Sequence, residues 1–353
     1  MQHHRTRQRA AALALALMMT AAVAPVAHAD EAPPETVATV TGLDPGAAPE
    51  GAVEAPAAEP ADPGTARAAV AVTERADQVW EYFRPLNVAR VGSGLEPTIQ
   101  NGALRTLAAT WARQQASAGT YATDPALESK LPAGWTTGRQ AIYVTYAATP
   151  AAAAQQLGTQ YGGRDWNDPA ITDVGLALFE SQFTTTQNRY TMVVIGVDYP
   201  HSRPQAGETT LYRFYRPSSG THFYSTTISE RNTVIRDGAY RYEGQVAYVL
   251  TPSVTAASTR ALHRFHQPSS GTHFYTSTQS EHDRVLGFPQ YRLDGVAGKV
   301  HVTAGSGLVP MYRFHRPASG THFYTASAAE MEQVRAMPGY SYEGVAFYLR
   351  RAS

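Results

Sequence analysis

Leu211-Tyr212-Arg213-Phe214-Tyr215-Arg216-Pro217-Ser218-Ser219-Gly220-Thr221-His222-Phe223-Tyr224 returns at Leu262 to Tyr275 and once more at Met311 to Tyr324. The three THFY histidines, His222, His273 and His322, stand 51 and 49 residues apart. A period near 50 predicts one supersecondary unit per repeat, stacked on its neighbours. Around Arg213-Phe214 aromatic and polar residues mix as on a half-buried strand. Pro217-Ser218-Ser219-Gly220 is turn chemistry, since proline presets φ and glycine supplies a positive one. Thr221 to Ser225 then returns as the hairpin partner. Thr227 with Glu230, Thr278 with Glu281 and Ser327 with Glu330 are capping boxes, each opening a short helix. Tyr242-Glu243-Gly244 leads into a closing strand, matched by Tyr342-Glu343-Gly344. The unit reads β-β-α-β, with repeats at about 210–251, 261–302 and 310–350. Repeat two departs most: Asp294 replaces the glutamate, and Lys299 stands where Tyr248 and Tyr348 stand.

Strand side chains alternate, so His222 and Tyr224 share one face and Phe223 points to the other. Phe214 and Phe223 are expected in the core. Arg213, Arg264 and Arg313 recur in the first strand, and Glu243, Asp294 and Glu343 before the last. Three readings fit this pattern. In the first, each arginine and its acid form a structural ion pair. In the second, each repeat carries a shallow sugar site, with His222, His273, His322, Tyr224, Tyr275 and Tyr324 among its contacts. In the third, the three histidines meet on a common axis as a metal site. Tyr224 and Tyr324 flank a buried phenylalanine, which favours the core for them. Tyr215, His266 and His315 vary in type at one strand position, which favours exposure and ligand contact.

Outside the repeats, composition narrows the function classes. A chain of 353 residues has room for about two domains. With 29 basic and 29 acidic residues, binding to nucleic acid through bulk charge is excluded. The absence of cysteine excludes disulfides, thiol catalysis, thiolate zinc sites and cysteine-held iron–sulfur clusters. Arg5, Arg7 and Arg9, the apolar run from Ala10 to Val23, and Ala27-His28-Ala29 predict a secretory signal peptide over 1–29, cleaved near Ala29-Asp30. That run is too short to span a bilayer, and no later one is longer. Residues 30–72 are rich in alanine, proline and glutamate and lack aromatics, which predicts a disordered spacer. Arg350-Arg351 reads as a solvated tail.

Residues 75–200 read as a mixed domain, followed by the repeat domain at 210–353. Leu104, Leu107, Ala108, Trp111 and Ala112 recur at helical spacing behind Asn101 as a cap. Pro150 opens a further helix. Ala141 to Tyr146, Val174 to Phe179 and Tyr190 to Val197 read as strands. Leu86-Asn87-Val88-Ala89-Arg90, Gly94-Leu95-Glu96-Pro97 and Leu104 to Gln115 resemble the N-terminal helices of the CAP superfamily of cysteine-rich secretory and pathogenesis-related proteins. Asp168-Pro169, Thr172-Asp173-Val174-Gly175 and Tyr190 to Val197 resemble its approach to the sheet and its closing strand. The resemblance implies a three-layer α-β-α sandwich. Many members carry two histidines and two acidic residues at a metal-holding cleft. Here no histidine lies between His28 and His201. The family's positions fall near Ala122 or Thr123 and near Gly162, and its Gly-Glu-Asn stretch at Gly138-Arg139-Gln140. Asp165, Asp168 and Asp173 remain as a carboxylate cluster or as turn formers.

The repeats resemble a secreted bacterial family with an HFYT hairpin and an acidic-Gly strand, known as a domain of unknown function. This implies a β-rich pseudo-threefold module and no activity. The expected fold is therefore α+β: a degenerate CAP-like α-β-α sandwich followed by three β-β-α-β units. No phosphate loop, nucleophile elbow or paired zinc motif is present, and no cofactor is implied. The expected function is a secreted, non-catalytic binding protein whose repeats contact a glycan or cell-wall polymer. A hydrolase using His222 with Glu243 is the alternative, and a passive protein-binding scaffold a third.

Overall fold

The computed structural model describes residues 37–43, 71–161 and 166–352. The predicted signal peptide, Asp165 and the family position near Gly162 lie outside them. A first sheet runs in the order β1 (Val37–Leu43), β4 (Gly138–Ala147), β6 (Asn188–Val197), β5 (Asp173–Gln182), β2 (Val72–Glu74), with β3 (Ile99–Gln100) parallel to β5. Strand β1 falls inside the predicted spacer and corrects it there, pairing with β4 from Val37 opposite Val144 to Leu43 opposite Gly138. Four of the five residues in its Val-Ala-Thr-Val-Thr stretch are β-branched, a local signal diluted by the surrounding alanine and proline.

Central β6 is buried on both sides. Tyr190, Met192 and Val194 face one apolar cluster, shared with Tyr82, Phe83 and Leu86 of α1 (Val79–Gly92) and Leu157 of α3 (Pro150–Tyr161). Val193, Ile195 and Val197 face the other, shared with Leu104, Ala108 and Ala112 of α2 (Gly102–Ala118). Asn101 caps α2, its side chain accepting the N–H groups of Ala103 and Leu104. The first turn of α2 lies so close to β5 that a Cβ on Gly175 would sit 2.1 Å from the Leu104 carbonyl carbon.

The second sheet holds nine strands. Repeat one supplies β7 (Glu208–Arg216), β8 (Thr221–Ser225), α4 (Ile228–Asp237) and β9 (Arg241–Leu250). Repeat two supplies β10 (Thr259–Gln267), β11 (Thr272–Thr276), α5 (Gln279–Leu286) and β12 (Arg292–His301). Repeat three supplies β13 (Val309–Arg316), β14 (Thr321–Thr325), α6 (Ala328–Arg335) and β15 (Ser341–Arg351). In each, the first strand pairs with both others, and the closing strands of all three meet: Lys299 opposite Leu250, His301 opposite Tyr348, Arg350 opposite Tyr248.

The expected α+β class, led by a CAP-like α-β-α sandwich, is corrected. Strands take 39% of the chain against 25% in helices, so the protein is β-rich, built on two sheets, with a sheet-dominated C-terminal region. The Leu86–Arg90 motif that suggested the sandwich has a local explanation. Arg90, 1% exposed, donates to the carbonyls of Glu96, Trp166, Asp168 and Ile171 at 2.7–2.9 Å, and Asn87 pairs with the backbone of Thr98. Both residues tie loops to α1. Arg350 is likewise no solvated tail, because it bonds Glu208 at 3.0 Å and lies 4.1 Å over the Tyr248 ring.

Both sheets belong to one compact unit. Val88 and Val91 of α1 pack with Tyr212, Phe214, Ile235 and Tyr242 of repeat one. Arg231 of α4, 1% exposed, pairs with Glu96 and stacks 4.8 Å over Tyr212.

Candidate functional site

The three hairpins bring their tyrosines to the centre of the repeat module. Tyr224, Tyr275 and Tyr324 are each at most 3% exposed, with rings edge-on at 5.5–5.8 Å. Tyr275 Oη donates to the Tyr224 carbonyl at 2.7 Å, Tyr324 Oη to Tyr275 at 2.7 Å, and Tyr224 Oη to Tyr324 at 2.5 Å. Each hydroxyl also accepts the N–H of the residue it serves, at 3.0–3.3 Å. Burial raises all three hydroxyl pKa values well above the usual tyrosine range, so they stay protonated donors. Tyr224 and Tyr324 thus lie in the core, the place their flanking phenylalanine favours, and Tyr275 lies there with them rather than standing exposed as a ligand platform. They also fill the axis on which a histidine metal site would have to lie, and among the described residues no group of three or more histidines and acids is placed to hold a metal.

The arginines form a second ring around this centre. Arg213 pairs with Glu243 of its own repeat and with Glu330 of repeat three, both at 2.7 Å. Arg264 pairs with Asp294 at 3.0 Å and with Glu230 of repeat one at 2.8 Å. Arg313 pairs with Glu343 at 2.7 Å and with Glu281 of repeat two at 2.9 Å. Each arginine thus meets the acid of its own repeat and also a capping-box glutamate of a neighbour, a partner that the sequence pattern does not signal. The glutamate side chains do not close the box but accept from Ser225, Thr276 and Thr325 at 2.5–2.6 Å and reach the next repeat's arginine.

A third ring is aromatic. His222 meets Phe323, His273 meets Phe223 and His322 meets Phe274, with centroids 4.7–4.8 Å apart across each repeat boundary. Tyr215, His266 and His315 are half-buried, their rings 4.7–5.1 Å from those same histidines. Tyr240, Tyr291 and Tyr340 complete the wall beside the THFY phenylalanines at 5.9–6.5 Å. The sequence carried a signal for these three, because each stands 18 residues after its THFY histidine. Three inter-repeat grooves result, each lined by Phe and Tyr from one repeat and by two rings and an acid from the next.

The electrostatics of the grooves are set by burial and by arginine. Burial, then Arg313 and His315, lowers His322 to about 4, and burial, then Arg264 and His266, lowers His273 to about 3. Both imidazoles are therefore neutral near pH 7, able to donate and accept. Burial pulls Glu243 upward, but His222 (3.4 Å away) and Arg213 outweigh it and hold the carboxyl below its ordinary value. A carboxylate held ionised this way is a poor general acid. A cleft of 220 Å³ opens between repeats two and three, lined by residues including Phe274, Glu281, Phe288, Tyr291, His315 and His322. A smaller one of 150 Å³ lies beside Arg213 and Glu330. Among the described residues, the acids named beside the first sheet have separate partners: Asp168 pairs with Arg139, and Asp173 accepts from Asn101 and Thr172 and pairs with His201.

Fold and grooves together define a three-repeat β module whose contacts pass cyclically from one repeat to the next. A family model described as a domain of unknown function (DUF5648) matches residues 182–350, from the end of β5 through β6 and all three repeats. No curated protein matches the chain. Among the described residues, no helix is long and apolar enough to cross a membrane.

Proposed function

We propose that this is a secreted, non-catalytic binding protein whose repeats contact a glycan or surface polymer. The observation that carries the reading is the cleft between repeats two and three, where three aromatic side chains stand beside two imidazoles. Sugars are held in this way: aromatic faces take the apolar C–H face of a ring, and neutral imidazoles and carboxylates take hydroxyls. Secretion rests on the basic, apolar and small-residue succession over residues 1–29. The hydrolase alternative is disfavoured, since the acid nearest His222 is clamped by Arg213. The full mature chain should cosediment with at least one of cellulose, chitin and bacterial cell walls, and free sugar should release it. Failure to bind all three would overturn the reading.

A further inference from the structure

The three grooves share one plan but differ at their mouths. Between repeats one and two, Arg216 lies 5.6 Å over the Tyr240 ring and donates to the Ser270 carbonyl at 3.4 Å. A Cβ on Gly271 would come within 2.6 Å of its guanidinium, and Tyr240 Oη donates to the Gly271 carbonyl at 3.2 Å. Between repeats three and one, Arg316 lies 5.7 Å over Tyr340, with its guanidinium 3.0 Å from a Cβ on Gly220. In both, a cation–π contact holds an arginine across the groove and against the next repeat's turn.

Repeat two has Gln267 at this position. Its amide oxygen turns back to accept from Ser270 at 3.0 Å and Thr272 at 3.3 Å, both in its own turn. Among the described residues no arginine lies over the Tyr291 ring, and a Cβ on Gly320, the facing turn glycine, would meet nothing within 4 Å. The 220 Å³ cleft opens here. Its rim carries Phe288, 40% exposed, where the other repeats have Asp237 and Met337.

We infer that the groove between repeats two and three is the ligand site of the module, that it takes one uncharged pyranose ring, and that Arg216 and Arg316 shut the other two. The inference rests on the glycan-binding reading and assigns its place and ligand class. Size limits the occupant, because 220 Å³ lies below the roughly 300–1,000 Å³ of sites for drug-sized molecules. Charge limits it further. Glu281 and Glu343 of the lining are both paired to Arg313, which stands outside it, and Arg284 is the lining's own guanidinium, so the two carboxylates are balanced by two arginines of which one faces the cleft. A neutral ring adds no unpaired charge to that balance, whereas a uronic acid or sugar phosphate would.

The test is an amide chemical-shift titration of the full mature chain with the methyl glycosides of glucose, galactose, mannose and N-acetylglucosamine, and with methyl glucuronoside as the charged control. At least one neutral glycoside should shift amides around Phe288, Tyr291 and His315, and the charged control should bind more weakly. Gln267→Arg, which installs the arginine found in the other two repeats, should abolish those shifts without lowering Tm. Phe288→Ala, at an exposed rim position, should weaken binding about tenfold. Arg216→Gln should leave the shifts around Phe288 unchanged and, with its own groove no longer shut, add new ones around Tyr240. Shifts confined to another groove, or binding that survives both Gln267→Arg and Phe288→Ala, would overturn the site while leaving glycan binding in place. Tighter binding of the charged control would overturn the ligand class. No shift with any glycoside, together with no retention on the polysaccharides, would remove both readings.

Discussion

The hydroxyl of Tyr275 serves both backbone polar groups of Tyr224, donating to its carbonyl at 2.7 Å and accepting its N–H at 3.0 Å. Because the same relation runs from Tyr324 to Tyr275 and from Tyr224 to Tyr324, the backbone N–H and carbonyl of each central tyrosine are bonded by the hydroxyl of another repeat. Buried backbone groups left without partners are costly, so each repeat depends on its neighbour for a closed core.

Tyr275→Phe keeps the ring and removes the hydroxyl, leaving two buried backbone groups of Tyr224 unpaired. Urea unfolding of the full chain should show a loss of about 1–3 kcal/mol. Tyr275→Ala also empties an aromatic site and should cost about 3–5 kcal/mol. A phenylalanine variant within about 0.5 kcal/mol of wild type would mean that the hydroxyls do not hold the centre.

An isolated repeat should not fold. Residues 261–302 alone lose Glu230 opposite Arg264, and lose both His322 and Arg313 from the face of Phe274. Circular dichroism and amide exchange of that fragment should report a largely unfolded chain. A cooperative melt of the fragment would contradict the shared core.

The repeat plan was legible because it is written three times, and strand, turn and helix signals agree within each copy. The buried state of Tyr224 followed from its place beside Phe223 in a five-residue strand. What alternation could not show was the partner across the repeat boundary, since period-2 logic places a residue on a face without saying what covers it. Glu230, Glu281 and Glu330 accordingly read as capping residues, although their carboxylates lie against a neighbouring arginine. Strand β1 was hidden by the composition around it. Arg90 and Asn87 stand in a stretch that resembles a family motif, whereas their work here is to bond loop backbone.

Arg231 joins repeat one to the first sheet through Glu96 and the Tyr212 ring. Arg231→Ala leaves Glu96 hydrated, since that carboxylate is 72% exposed, so the loss should be mainly packing and cation–π contact. We expect about 1–3 kcal/mol and, in calorimetry, a broadened or split transition as the two sheets unfold less cooperatively. A single transition at the wild-type Tm would show that Val88 and Val91 suffice to couple them.

Acid should loosen the repeat module through its histidines. His322 is lowered to about 4 in the folded chain, by burial first and then by Arg313 and His315, with Glu281 opposing. An unfolded chain would have this imidazole near its ordinary value of about 6.5. Between those values the unfolded state binds the proton and the folded state does not, so stability rises with pH across the window. The contribution is complete above about pH 6.5, falls as pH drops and is exhausted near pH 4, a loss on the order of 3 kcal/mol. His273, lowered to about 3, acts in the same direction and extends the window downward. Glu281 and Glu243 are held below the ordinary carboxyl value, so their protonation adds a further loss below about pH 4.5. Tm measured from pH 8 to pH 4 should therefore hold level above about 7 and decline steadily below 6.5. His322→Asn, which cannot titrate there, should lower Tm at neutral pH and flatten part of the slope between 6.5 and 4.5. A wild-type Tm that stays constant down to pH 4.5, or a His322→Asn slope as steep as wild type, would show that the imidazole is not kept neutral against Phe274.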